Sequence, residues 1–481
     1  MSYRTLQYIL GAVVAAIGVA MIPAAIVAGI YQEWADMVEI LVAALVTILI
    51  GGVAWKYGRQ AQLTTREGFA IVGLAWIAVV LFGTLPYIAT STLDGITNAI
   101  FESAAGFTTT GASVIAEPES IGHGVVFWRA TSQWLGGMGI IVLSIAILPL
   151  LGVGGVELAR AESPGPRPDR LTPRFKETAK RLWFIYVAFT AVEALLLWVG
   201  DMSLFEAIAH SFTTLSTGGF STTSESLGGF SAYAQWVVIV FMLLAGMSFA
   251  LHYRGLRNPV EYTRDSELKI YAAVIGAASV ITAIGIWGGG IGRTVRDAVF
   301  TVVSLVTTTG YATADFNQWP GALAIMVVGL MFVGGMAGST AGSVKTYRIG
   351  VLTRASLADI RKVIHPRGVF PVRLGGQKVP DSIVQSVQAF FLFYMFIFMT
   401  GTFVFGVFSS AIGPDLDFVS AASAVASALG NVGPGLGALG PTETYLEVTA
   451  LGKWLLAGLM IAGRLEIFPI VLLFTRELWR R

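Results

Sequence analysis

Long apolar runs separated by short polar segments extend along the whole chain, as in Leu6–Ile30 and Met37–Trp55. An α-helix rises ~1.5 Å per residue, so about 20 apolar residues cross the hydrocarbon layer of a membrane. Ten runs reach that length, at about 6–30, 38–56, 67–90, 125–153, 181–200, 235–253, 268–288, 322–350, 386–411 and 445–475. The pattern predicts an all-α polytopic membrane protein. The first run is too long for a signal-peptide core, and no A-x-A-like site follows it, so it is expected to stay as a span.

Four further segments are apolar on one side but too short to cross. They are TNAIFESAAGFTTTGAS (97–113), LFEAIAHSFTTLSTGGF (204–220), TVRDAVFTVVSLVTTTGYA (294–312) and DFVSAASAVASALGNVGPG (417–435). Each reads as a capping-type residue, about three helical turns and then a polar, glycine-bearing stretch. Each lies between two full runs, which makes it a re-entrant half-helix. The fourfold recurrence is an internal repeat of helix, pore helix, loop and helix, preceded by two extra spans. The expected divisions are 1–62 for the two N-terminal helices, then 63–160, 161–264, 265–375 and 376–481 for the four repeats.

Charge sets the expected orientation. Lys and Arg cluster at Lys56–Arg66, Arg160–Arg181, Arg254–Lys269 and Lys345–Lys378, with Arg4 near one end and Arg476, Arg480 and Arg481 at the other. By the positive-inside rule these segments, and so both termini, face the cytoplasm. The intervening segments, such as AEPESIGHG (116–124) and TTSESLGG (222–229), are poor in Lys and Arg and face outward; Arg293 and Arg296 are the exceptions. Charged residues make up only 12% of the 481, against about 25% in an ordinary soluble domain. Anionic lipid and a docked regulatory subunit both suit the basic segments. The chain has no cysteine and four scattered histidines, His123, His210, His252 and His365. Thiolate metal sites and cysteine nucleophiles are excluded, and no histidine pair has ligand spacing. A membrane enzyme is disfavoured for the same reason.

Backbone that leaves a helix at membrane depth must face protein or an ion-filled path. Four such loops about one axis would line a narrow hole with carbonyl oxygens able to replace the hydration shell of a cation. Aligning the central glycines gives Gly111, Gly218, Gly310 and Gly433. Glycine suits a backbone that aims successive carbonyls one way, and helices ending at the loops present their negative dipole ends to a cation. Close helix packing through small residues is the competing reading, but it does not account for four matching places. Glu102, on the first short helix, either braces the loop or concentrates cations; a solvated face is the alternative.

The strings TTTGAS, STGGF, TTTGYA and GNVGPG resemble the four filter loops of the Trk/Ktr/HKT superfamily of cation uptake proteins. FWRATSQWLGGMGIIVLSIAILPLLGVGG (127–155), GGMAGSTAGSVKTYR (334–348), GRLEIFP (463–469) and the two leading spans resemble its TrkH/TrkG branch. The resemblance covers essentially the whole chain. It implies a potassium-translocating subunit, homodimeric in the bacterial inner membrane, with a cytosolic nucleotide-binding partner of the TrkA type. It implies ion sites at Thr109, Thr110 and Gly111; Ser216, Thr217 and Gly218; Thr308, Thr309 and Gly310; and Asn431, Val432 and Gly433. Potassium would occupy the filter, with no covalently bound cofactor and no nucleic-acid partner. In plant relatives a serine in the first filter goes with sodium transport, so Gly111 implies potassium preference.

The eighth run is interrupted by GGMAGSTAGSVK (334–345). A close helix crossing and a mobile unwound loop both fit that composition; the resemblance favours a gating loop carrying Gly334, Gly335, Gly338, Gly342 and Lys345. The string is not a P-loop, because Lys345 does not follow the glycine as that motif requires. Arg464 lies within the tenth run, where a charge costs at least ~2.5 kcal/mol on an insertion scale. It is expected to face the path below the filter as a barrier to cations, or else to sit in a buried ion pair. A sodium or mixed transporter of the same fold remains the second reading. A secondary transporter of an organic solute is the third, disfavoured because only one span shows a break. Coupling to proton entry is not decided by these residues.

Overall fold

A computed structural model describes residues 3–59, 65–146, 173–288, 290–412 and 416–479. Two long helices come first, α1 (Tyr3–Ile30) and α2 (Trp34–Tyr57). They lie almost backbone to backbone. A Cβ on Gly11 would come 2.3 Å from the Trp55 nitrogen, and one on Gly51 would come 2.3 Å from the Ala15 nitrogen. Small residues permit that approach, and dispersion across it replaces the hydrophobic drive that lipid lacks.

The rest of the chain alternates long and short helices. The first group is α3 (Thr65–Gly83), the five-residue α4 (Leu85–Ala89), the short α5 (Ile96–Phe107) and α6 (His123–Ala146). The second is α7 (Pro173–Val199), the short α8 (Leu204–Leu215), α9 (Ala232–Ala245) and α10 (Phe249–Arg257). A one-turn helix, α11 (Val260–Arg264), leads to the third group: α12 (Ser266–Gly285), the short α13 (Ile291–Val306), α14 (Gly321–Met331) and α15 (Thr346–Ile364). The fourth is α16 (Asp381–Ile412), the short α17 (Phe418–Gly430), α18 (Ala450–Arg464) and α19 (Phe468–Leu473). A two-residue-per-strand hairpin, Arg373–Leu374 with Gln377–Lys378, joins α15 to α16 and was not foreseen.

Six described helices are long and apolar enough to cross a membrane. Three of the ten predicted spans depart from a simple crossing. Residues 235–253 form α9 and α10, bent by 97° at Gly246–Ser248, so a second broken span joins the one foreseen. The run 322–350 gives α14, then irregular backbone from 332 to 345, then α15. The run 445–475 becomes helical only at Ala450 and ends its helix at Arg464. The fourth run forms α6, and its expected continuation to residue 153 lies outside the described residues, as does the basic segment from 160 to 172.

Two of the four short helices are buried almost throughout. Every residue of α5 from Ala99 to Phe107 and every residue of α17 from Ser420 to Gly430 is buried. Ala, Ser and Gly make this crowding possible. Two of the four short helices start with the expected capping residue and two do not. Ser203 and Glu206 form a reciprocal capping box on α8, and Asp417 accepts from Ser420 N at 2.9 Å on α17. The other two begin at Gly95 (φ 80°) and Gly290 (φ 90°) without a side-chain cap, where glycine's freedom at positive φ turns the chain instead.

Candidate functional site

The four short helices all end at one place. Each is followed by a left-handed residue, Thr109 (φ 53°), Thr217 (54°), Thr308 (56°) and Asn431 (56°), and, two residues on, by a positive-φ glycine, Gly111 (80°), Gly219 (77°), Gly310 (84°) and Gly433 (113°). The second loop therefore sits one residue later than aligned glycines suggest. Gly219, not Gly218, matches Gly111, and Ser216 belongs to the cap of α8, its hydroxyl on Thr213 O at 3.1 Å. The sequence GG offers two candidates, and only backbone conformation separates them.

These loops close on one another. A Cβ on Gly111 would lie 2.1 Å from Gly218 O, on Gly219 1.9 Å from Thr309 O, on Gly310 2.0 Å from Val432 O, and on Gly433 2.7 Å from Thr110 O. Loop one touches two, two touches three, three touches four, and four returns to one. The loop N–H groups point back into the helix ends: Thr110 N to Ala105 O (2.9 Å), Gly218 N to Thr213 O (2.8 Å), Thr309 N to Ser304 O (2.8 Å) and Val432 N to Ser427 O (2.9 Å). With the N–H groups satisfied inside, the carbonyls of Thr109, Thr217, Thr308 and Asn431 accept no hydrogen bond among the described residues. Hydroxyl pairs stiffen two loops, Thr108 with Thr110 (2.7 Å) and Thr307 with Thr309 (2.8 Å). In the fourth, Asn431 Nδ2 reaches Thr110 Oγ1 at 3.0 Å instead.

The extensions beyond the loops are stitched in the same order. Ser224 bonds Glu119 (2.7 and 3.0 Å), Leu227 N bonds Ala312 O (3.1 Å), Asn317 and Gly437 exchange two bonds, and Tyr445 N bonds Ser113 O (2.9 Å). Partial burial pushes the Glu119 carboxyl up, and the bonds from Ser224 outweigh it, leaving Glu119 below its ordinary value.

Glu102 does not lie on a solvated face. It is fully buried, pairs with Arg129 Nε at 2.9 Å, and accepts from Val114 N and from the Ser113 hydroxyl, both at 2.9 Å. Arg129 also donates to Ser221 O (3.3 Å) and lies 4.2 Å over the Phe220 ring, so the pair fastens loop one to loop two. One turn on, Gln133 donates to Gly218 O (2.7 Å) and accepts from Phe220 N (3.1 Å). Arg129 and Gln133 escaped the sequence reading. Their spacing of four in an apolar run puts them on one helix face, which was the available signal.

The interrupted segment 332–345 lies against the ends of the short helices. Gly342 N donates to Thr308 Oγ1 (2.7 Å), and the Thr340 hydroxyl donates to Leu215 O (3.0 Å). A Cβ on Gly342 would come 2.3 Å from Gly430 O. The bend after α9 receives the segment: Met336 N bonds Gly246 O (2.8 Å) and Phe249 N bonds Gly338 O (3.1 Å). Gly334 (φ 75°) and Gly338 (φ 79°) turn the chain at positive φ, while a Cβ on Gly335 would come 2.7 Å from Gly246 O. Lys345 is buried with its amine on Ala341 O and itself has φ 76°. Arg464, at the end of α18, donates to Thr340 O (2.6 Å) and Gly136 O (3.4 Å). It forms no ion pair among the described residues; Glu466 pairs with Arg348 instead, which excludes the buried-pair reading of Arg464. A guanidinium thus sits beside the interrupted segment, bonded among the described residues only to backbone carbonyls.

A family model described as "TrkH: Cation transport protein" matches residues 37–263 and 290–480. The chain belongs to the TrkH family of cation transport proteins. Among TrkH-family relatives, the Trk system potassium uptake protein TrkH of Halomonas elongata is 39% identical, and that of Escherichia coli K12 is 38% identical, each over 100% of both chains. The Trk system potassium uptake protein TrkG of E. coli K12 is 34% identical over 99% of both. The crystal structure of the potassium transporter TrkH from Vibrio parahaemolyticus superposes with a TM-score of 0.91 at 35% identity, covering 100% of each chain. The all-α polytopic membrane fold and membership of the TrkH branch are as the sequence led us to expect. A multi-pass cation transport protein, and not an enzyme, is what this family contains.

Proposed function

We propose that this chain is the potassium-translocating subunit of a Trk-type uptake system in a bacterial inner membrane. Cations pass the ring formed by Thr109–Gly111, Thr217–Gly219, Thr308–Gly310 and Asn431–Gly433, shedding water for backbone oxygens. The segment 332–345 and Arg464 form the barrier beyond that ring. The observation that carries the reading is the closed cycle in which a Cβ placed on each of four loop glycines would come within 1.9–2.7 Å of a carbonyl oxygen of the next loop. A packing role alone would not require four unpaired carbonyls at equivalent left-handed positions. The full-length similarity to potassium uptake proteins favours potassium as the ion. Homodimerisation and regulation by a TrkA-type nucleotide-binding subunit belong to the same proposal and rest on the resemblance of the motifs; the relatives' description as Trk-system proteins supports only association with further components.

The test is ion flux into liposomes holding the purified chain, with potassium, rubidium, sodium and lithium gradients compared. Potassium and rubidium passing ahead of sodium and lithium supports the proposal. Equal passage of all four removes the selectivity and favours the mixed transporter. Absence of all flux, with the cytosolic partner also supplied, refutes the pore.

A further inference from the structure

The interrupted segment has a neck as well as a tip. Its two limbs meet where Thr346 N bonds Gly335 O at 2.9 Å and the Thr346 hydroxyl bonds Gly334 O at 2.9 Å. From the neighbouring helix α12, one oxygen of Glu267 spans both limbs. Oε1 accepts from Ala337 N at 2.7 Å on the incoming limb and from Tyr347 N at 3.0 Å on the outgoing one.

The second bond falls at a particular place. Lys345 occupies the N-cap position of α15, provides no side-chain cap, and has φ 76°. Tyr347 is the second residue of that helix, whose N–H ordinarily bonds a capping side chain. Glu267 supplies that cap from another helix, and its carboxylate faces the positive end of the α15 dipole. A 19-residue helix, the segment under the loop ring and α12 therefore share one acceptor atom. At the far end of the segment, Gly342 reaches Thr308 and Thr340 reaches Leu215. A shift of α15 must break or carry the Tyr347–Glu267–Ala337 bridge before it moves the tip.

We propose that Glu267 is a positioning residue for ion passage: a latch that holds the neck of segment 332–345 and, with it, the closed position of the barrier. This rests on the reading of that segment as the gate. Removing the acceptor frees both limbs and raises basal flux; the filter ring, which Glu267 does not touch, keeps its selectivity.

The test compares rubidium flux in liposomes for the full chain and Glu267→Ala, Glu267→Gln and Glu267→Asp, with the potassium-to-sodium ratio recorded each time. Glu267→Ala is expected to raise basal flux about fivefold to tenfold at an unchanged ratio. Glu267→Gln keeps an amide oxygen where Oε1 accepts both bonds and is expected within twofold of the parent. The shorter Glu267→Asp is expected between them, and it carries the test alone if Glu267→Ala does not fold. Because the chain has no cysteine, Ser339→Cys provides a second readout, with thiol labelling expected to quicken in the Glu267→Asp background. Parent-level flux and labelling in Glu267→Asp, or a Glu267→Gln rise equal to that of Glu267→Ala, overturns the latch. Arg464→Ala run alongside separates the two readings: a rise there without one at Glu267 sinks the latch alone, and no rise at either sinks the gate.

Discussion

Two adjacent glycines in the second loop make opposite predictions under the two possible registers. Gly219 has φ 77°, and a Cβ there would lie 1.9 Å from Thr309 O, which is backbone of the next loop. A side chain in the left-handed region costs roughly 1–2 kcal/mol. Relief of the contact takes a movement of about 1 Å or more in the ring, since Cβ contacts under 3.0 Å do not persist. In enzymes a misplacement of ~1 Å costs about 100-fold, and ion passage through fixed oxygens is expected to suffer similarly. Gly218 has no positive φ, and its Cβ would meet the Gln133 side chain at 2.3 Å. That side chain turns aside at the loss of two hydrogen bonds, about 1 kcal/mol each. Gly219→Ala is therefore expected to lose about 100-fold of rubidium flux, and Gly218→Ala to lose stability while retaining most of its flux. Rubidium uptake into liposomes and thermal unfolding in detergent measure the two. Gly219→Ala retaining more flux than Gly218→Ala would refute the register and the cycle of contacts built on it.

Arg464→Ala removes a unit charge. At about 10 Å from an ion and an effective dielectric of about 20 such a charge is worth on the order of 1.7 kcal/mol, so potassium flux should rise about tenfold; unchanged flux ends the barrier idea. Glu102→Ala strands Arg129 in a buried site and is expected to cost ~3–5 kcal/mol, read as a lowered unfolding temperature and a weakened potassium-to-sodium ratio; a ratio equal to the parent's would show that the pair does not brace the filter. Glu119 titrates below its ordinary value when bonded to Ser224, so its contribution is complete above the ordinary carboxylate range and lost as pH falls through the folded value. The gap in unfolding temperature between the parent and Ser224→Ala should accordingly close on acidification, and a gap independent of pH would show that the Ser224–Glu119 bonds do not stabilise the fold.

The sequence by itself determined the membrane class, the number of short helices and their places between longer ones. Each of these follows from lengths of apolar chain measured against a hydrocarbon layer, a constraint that acts locally. It also exposed three of the four loop glycines and the interruption at 334–345, because polar and glycine-rich backbone is conspicuous in an apolar run. What it left open are choices made between segments far apart. Gly219 rather than Gly218 faces the next loop because Thr309 O occupies the space where a Cβ would be, some ninety residues later in the chain. The bend at Gly246–Ser248 carries no proline, and its freed carbonyls are taken by Met336 and Thr340 of another span. Arg464 ended without a carboxylate, though Glu466 is two residues away, because the helix stops at Arg464 and positive φ at Glu466 and Ile467 sends that carboxylate to Arg348. Hydrogen bonds and close contacts across the bundle decide such matters, and a one-dimensional pattern of apolar and polar positions does not encode which distant group arrives to make them.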